Sequence, residues 1–141
     1  MQKYTQKGGI IFNMNNNEII CRNFANIIGG QHGFTGGKCV ATIPRSQIRA
    51  TILGVRFSVT SSFSFESKNN LSGKALCLGR VALLQKEVEP FVAVIRDQGI
   101  IVSSIHNEWL FEKPRLIYVN IESVEKPLLF ARKVRKALQV I

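Results

Sequence analysis

The chain has 141 residues, 45% of them hydrophobic and 20% charged, with a formal net charge of +10. A chain of this length favours one domain and buries roughly two-thirds of its unfolded surface, so it needs neither disulfides nor a structural metal to fold. No apolar run approaches the ~20 residues of a transmembrane helix, and the N-terminus lacks the apolar centre and cleavage site of a signal peptide. The expectation is a cytoplasmic protein with no membrane partner.

The three cysteines, Cys21, Cys39 and Cys77, are widely spaced and contain no CxxC pair. That argues against a disulfide framework or a zinc knuckle, and Cys77 reads as a small buried hydrophobe. The positive charge admits an anionic partner but equally serves solubility. The basic residues are spread along the chain and concentrate once, near the C-terminus. With no aromatic RNA-binding signature and no basic-region heptad, nucleic acid is the weaker reading.

In chain order, residues 1–17 are polar and read as a flexible N-terminal segment. Lys7-Gly8-Gly9 shortly before Met14 suggests translated upstream sequence, with Met14 as the native start. Ile19, Ile20, Phe24, Ile27 and Ile28 recur at helical spacing, which predicts a short amphipathic helix over 18–28 stopped by Gly29-Gly30. The following GGQHGFTGGK lacks the Ser or Thr of a phosphate loop and reads as a linker or hairpin turn, with His32 in solvent.

From Cys39 the pattern turns to β. KCVATIP and SQIRATIL are β-branched and broken by Pro44, and Gly54 marks a turn. SSFSFES alternates strictly, so Phe63 and Phe65 share a core face. Residues 69–73 read as a turn. Residues 74–84 are apolar on both faces, like a central strand. Val88, Phe91, Val92 and Ile95 then predict a helix with Pro90 in its first turn and Gly99 just past its end. GIIVSSIHN and RLIYVNIES are predicted to pair antiparallel around a break at Lys113-Pro114. A last helix opens at Pro127, with Phe130, Val134, Ala137, Leu138 and Ile141 on one face and Arg132, Arg135 and Lys136 opposite. The second half reads β-α-β-β-α. The expected fold is therefore an α+β two-layer sandwich over residues 18–141: a mostly antiparallel sheet, extended by the earlier strands, with helices packed on one face.

Several stretches occur in a suggestive order: Thr42-Ile43-Pro44-Arg45-Ser46, Leu78-Gly79 leading to Glu87-Val88-Glu89-Pro90, the run from Gln98 to Asn107, Lys113 to Val119, and Phe130 to Leu138. In order and spacing they resemble the LppY/LpqO family, named for mycobacterial lipoproteins, over residues 24–138. The resemblance implies the same fold and no established activity. It also implies a histidine at position 108, another near 120 and an aspartate at 80, where this chain has Glu108, Asn120 and Arg80.

His106 and Glu108 lie two apart in a strand and so point the same way. They would suit a metal-assisted enzyme, although His106 reads equally as an ordinary hydrogen-bonded strand-end residue. Arg80, in an apolar strand, needs a partner, and an ion pair with Glu108 across adjacent strands is expected. Such a pair would disfavour a cation there. Arg45, with Arg80 and Arg115, suits a carboxylate or phosphate, or is simply exposed. Trp109 and Phe111 are expected to pack a hairpin rather than line a pocket. The composite expectation is a non-enzymatic domain with no cofactor, binding a small anionic ligand at a rim formed by His106, Glu108, Arg80, Arg45 and Asn120. The alternatives are the metal-assisted enzyme and a nucleic-acid module using Arg132, Lys133, Arg135 and Lys136. An exposed sheet edge would support a homodimer.

Overall fold

The computed structural model describes residues 16–66 and 73–141, together with the strand backbone of residues 3–7 and 10–14. The turn expected at 69–73 falls outside the described residues except for Gly73, as do the side chains of the N-terminal segment up to residue 15. Strands β1 (Lys3–Lys7) and β2 (Ile10–Met14) pair antiparallel as a separate two-stranded sheet.

Helix α1 (Asn16–Ile28) starts two residues before the expected point. It buries Phe24 against Phe65 in an edge-to-face contact with centroids 5.1 Å apart, and stacks it on Phe130 at 6.3 Å. The glycine-rich stretch is a hairpin rather than a linker: β3 (Gln31–Thr35) turns at Gly36-Gly37 into β4 (Lys38–Pro44). Then come β5 (Ala50–Ile52), β6 (Val55–Phe57), β7 (Thr60–Glu66) and β8 (Ala75–Leu84). Helix α2 (Gln85–Asp97) leads to β9 (Ile101–His106), and β10 (Glu112–Lys113), β11 (Leu116–Glu125) and α3 (Pro127–Leu138) complete the chain.

The main sheet has six strands in the order β3-β4-β7-β8-β11-β9, every neighbouring pair antiparallel. Because β11 lies between β8 and β9, the unit β8-α2-β9 is a split β-α-β. All three helices cover one face, which makes the α+β sandwich expected from the sequence. One refinement applies to the earlier strands. β4 and β7 extend the main sheet, whereas β5 and β6 pair with β10 in a separate three-stranded sheet. The small sheet covers only the Ala82, Leu116 and Tyr118 end of the open face, with Ile48, Ala50 and Val59 packed between.

The period-2 alternation of the strands explains the asymmetry of the two faces. Cys39, Ala41, Phe63, Phe65, Cys77, Val81, Leu83, Val119 and Ile121 point into the helix layer and are buried. Gly79 belongs to the same row. A Cβ there would sit 2.7 Å from Ile121 Cγ1 and 2.8 Å from Phe63 Cδ1, so only glycine lets those side chains meet over β8. The expectation that β8 is apolar and covered on both faces holds at its Ala82 end, where the small sheet lies, but Leu76 and Leu78 are exposed on the open face. Cys77 is buried as expected, and burial, aided by the nearby Glu125, pushes its thiol up to about 12.

Two local expectations are corrected. Helix α2 begins at Gln85, so Pro90 sits in its second turn and removes one internal hydrogen bond. The early start follows from Glu87, which reaches back to accept the Leu84 N–H at 2.8 Å and caps the helix. Cys21 and Cys39 form a disulfide across 5.4 Å of Cα separation, tying α1 to β4. Wide sequence spacing gave no sign of it because the partners meet only through the fold.

The buried joint of the molecule is Arg45 with Glu87. Arg45 Nη1 and Nη2 donate to the two carboxylate oxygens of Glu87 at 2.8 and 2.9 Å, and Nη1 also donates to the Ala82 carbonyl at 2.9 Å. The Arg45 hydrogen bond is the main reason the Glu87 carboxyl titrates below its ordinary value, against burial, which raises it. A depressed carboxyl stabilises the fold above its unfolded pKa, and that stabilisation is lost as pH falls through the folded value. Arg45→Met is therefore expected to cost about 3 kcal/mol at neutral pH by leaving a buried carboxylate unpaired. The gap from the unsubstituted protein should narrow as acid protonates Glu87. Urea melts from neutral pH down to pH 3 check this, and a gap independent of pH would refute the linkage.

Candidate functional site

Arg80, Asn120, Ser104 and His106 are carried to one place by register. Asn120 pairs with Arg80 on one side and with Ser104 on the other, and Tyr118 pairs with His106, so these residues share the open face of the sheet. Ser62 of β7 pairs with Arg80 on the same face, and Ser64 lies one pleat further along.

Beyond β9 the chain turns back, and Glu108 reaches over to Arg80. Arg80 Nη2 donates to Glu108 Oε1, so the expected partners meet, but not across adjacent strands: β11 lies between β8 and β9, and Glu108 is past the end of β9. The pair is partly open to solvent, with side-chain exposures of 40% and 31%. The Arg80 guanidinium also lies over the Tyr118 ring, 4.1 Å from its centroid, in cation–π geometry. His106 stacks loosely on the same ring, with centroids 6.2 Å apart. His106 Nδ1 is 3.4 Å from Ser104 Oγ, and Nε2 is 3.9 Å from the carboxylate oxygen that Arg80 holds. Four of the five expected rim residues thus converge.

Arg45 does not join them. Its guanidinium is buried and committed to Glu87 and the Ala82 carbonyl, so it serves the joint described above rather than a ligand. Nothing in its sequence context distinguished these uses, because the deciding partner lies 42 residues away. Trp109 and Phe111 are corrected as well: both side chains, with Leu110 between them, stand exposed instead of packing the hairpin. The loop instead anchors through Asn107, whose Nδ2 donates to the Leu116 carbonyl at 3.0 Å.

Next to Arg80 the open face dips into a cleft of about 260 Å³, lined by Ser62, Ser64, Arg80, Ser103 and Asn120 among others. The amide oxygen of Asn120 is buried and accepts no hydrogen bond. Ser103 donates to the backbone carbonyl of Asn120 at 3.2 Å, which leaves the side-chain oxygen unserved. The serines escaped the sequence reading because alternation reported only their partners Phe63 and Phe65, whose burial was the stronger signal. Among the described residues no three His, Cys, Asp or Glu side chains are grouped to hold a metal ion. His106 and Glu108 supply two donors at most, beside a guanidinium that opposes a cation.

Residues 22–140 match the family model described as Domain of Unknown Function (DUF1259). The chain belongs to that family. No curated protein and no solved structure matches the chain. The match corrects the LppY/LpqO resemblance, for which no model matches. The stretches that suggested it are strand segments, the capped start of α2 and the body of α3, features that recur wherever such elements are built. The histidine and aspartate pattern inferred from that resemblance therefore has no bearing on Glu108, Asn120 or Arg80 of this DUF1259 domain. The helix α3 basic residues are partly in structural use: Lys133 pairs with Glu125 at 2.7 Å, and Arg135 donates to the Ile27 carbonyl at 3.2 Å.

Because the Arg80–Glu108 pair is partly solvated, its coupling should be small, about 0.5 kcal/mol. A double-mutant cycle of Arg80→Ala and Glu108→Ala, read by chemical denaturation, measures it. A coupling above about 2 kcal/mol would mean that the pair is closed off from water, contrary to its exposure.

Proposed function

We propose that this DUF1259 domain is a non-enzymatic binder of a small anionic molecule that also carries a hydroxyl or similar donor, the chemistry of a hydroxy acid. The reading is carried by the buried, unserved amide oxygen of Asn120, a residue that lines the cleft beside Arg80 and whose side chain turns toward the cleft to take a donor. A buried acceptor without a partner costs about 1–3 kcal/mol, and a donor placed against it recovers that. A fully deprotonated inorganic anion such as sulfate offers acceptors only, so it would satisfy Arg80 and the serines but not Asn120. A hydroxy acid offers both: its carboxylate faces the Arg80 N–H groups not taken by Glu108 and the hydroxyls of Ser62 and Ser64, while its hydroxyl donates to Asn120. The cleft is below the usual range for drug-sized ligands, which favours a small metabolite.

The metal-assisted alternative gains no support from the geometry, since Arg80 occupies the Glu108 carboxylate that a cation would need. The nucleic-acid alternative retains Arg132 and Lys136 on α3, both exposed, but two of its four residues are held in contacts within the fold.

No helix among the described residues is long and apolar enough to cross a membrane. The Cys21–Cys39 bond favours an oxidising compartment over the expected cytoplasm, because thiols are kept reduced in the cytosol. Alkylation of the chain unfolded without reductant is expected to label Cys77 alone. Labelling of all three cysteines in protein freshly isolated from its source would overturn the compartment reading.

The ligand proposal is checked by a thermal-shift panel that compares small hydroxy acids with the matching acids lacking the hydroxyl and with sulfate. A bound ligand raises the melting temperature by mass action. Hydroxy acids should give the larger shift, and Asn120→Ala should abolish their advantage while leaving the weak response to simple anions. Equal shifts for every anion, or none, would sink it.

A further inference from the structure

Among the described residues, five of the exposed large apolar side chains gather at one tip. Leu110 is 84% exposed, Leu53 74%, Val55 70%, Phe111 64% and Trp109 42%. The small sheet brings them together. β5 turns into β6 at Leu53-Gly54, β10 pairs with β5, and the Leu53 N–H donates to the Phe111 carbonyl at 3.4 Å.

The turn is costly to build this way. Leu53 has a φ of +52°, in the left-handed region that a two-residue hairpin turn requires and that Asn or Gly adopts readily. A leucine there accepts backbone strain in order to hold a large apolar group in solvent. Nothing in the fold gains from it, since the side chain packs on no core cluster.

The surroundings of the tip are basic. Lys113 and Arg56 both pair with Thr51, so they flank it on one face of the small sheet. Arg49 and Arg115 follow on adjoining segments. All four are exposed, and none has an acidic partner among the described residues. The local acids are already in use: Glu108 is held by Arg80, and Glu112 is buried in the small sheet.

We propose that this tip is a membrane-surface contact, in which Leu53, Trp109, Leu110 and Phe111 enter the headgroup region of an anionic bilayer while Arg56 and Lys113 engage the headgroups. Apolar groups that include a Trp, next to Lys and Arg, are the composition of interfacial anchors. Exposures this high belong to a protrusion. A stable protein interface needs about 800 Å² on each partner, usually a broad face, whereas shallow insertion needs only a projecting tip. The chain's charge of +10 acts in the same direction by long-range attraction to anionic lipid.

Trp109 is the only tryptophan in the chain, so its fluorescence reports this tip directly. The full chain is titrated with phosphatidylcholine vesicles and with vesicles also containing phosphatidylglycerol, followed by emission and co-sedimentation. A blue shift and co-sedimentation on the anionic vesicles are expected, together with quenching by lipids brominated on the acyl chain. Leu110→Asp combined with Phe111→Asp should abolish binding. Because both sites are exposed, an unchanged melting temperature will confirm an intact fold. Arg56→Gln and Lys113→Gln should each weaken partitioning about fivefold. The proposal is overturned by an unshifted Trp109 on anionic vesicles, by unchanged binding of the double aspartate variant, or by equal binding to both vesicle types. A blue shift that grows with protein concentration in the absence of lipid would instead assign the tip to contact between copies of the chain, and would also overturn it.

Discussion

Much of the architecture hangs on one buried guanidinium. Arg45 sits just past β4, and its partners are the Ala82 carbonyl near the end of β8 and the carboxylate of Glu87 in the first turn of α2. Glu87 in turn caps α2 at the Leu84 N–H. The end of β4 is thus fixed to the junction of β8 and α2, about 40 residues further along the chain. Neither ion is tolerable alone in that position, because a buried charge without its partner costs several kcal/mol. The joint is therefore all or nothing, and it holds the start of α2 against the end of β8.

The two faces of the sheet differ in kind. The helix face is mostly apolar, interrupted by the buried Ser61 and Glu125, and at Gly79 it is packed so closely that a methyl group would collide with Ile121 and Phe63. The open face is mixed. Its upper end is closed by the small sheet over Ala82 and Tyr118, while its middle carries serines, Arg80 and Asn120 beside exposed Leu76 and Leu78. An antiparallel sheet tolerates a solvated face, but a solvated face of this composition, with an orphaned amide oxygen, is more than tolerance requires.

What was legible in the sequence followed period and punctuation. The alternation in SSFSFES gave β7 and its core face, Pro127 gave the start of α3, and Gly99 gave the end of α2. The Arg80–Glu108 pair was also readable, because an arginine in an apolar strand demands a partner and few acids were within reach. β3 was hidden by Gly33 and by the glycines of its turn, which dilute a strand signal at a sheet edge. The Cys21–Cys39 bond and the Arg45–Glu87 joint were illegible for a different reason: each depends on two residues whose proximity only the completed topology creates. Trp109 and Phe111 misled because large apolar residues are usually packed, and no local pattern marks those that are held out.

The register of β9 shows how a detail invisible in the sequence shapes the candidate site. Val102 and Ile105 are an odd number of residues apart, so strict alternation would put them on opposite faces. Both nevertheless point toward the helix layer, because the pairing with β11 shifts between Asn120 and Ile121 and leaves Ser103 as an extra residue. The bulge lets Val102 pack against the core while Ser104 and His106 stay on the open face. It also turns the Ser103 hydroxyl onto the Asn120 backbone carbonyl. Without the extra residue the sheet would have to choose between burying Val102 and presenting Ser104 and His106. With it, core packing and the polar cleft coexist on adjacent residues, and the unserved oxygen of Asn120 lies directly across from the irregularity.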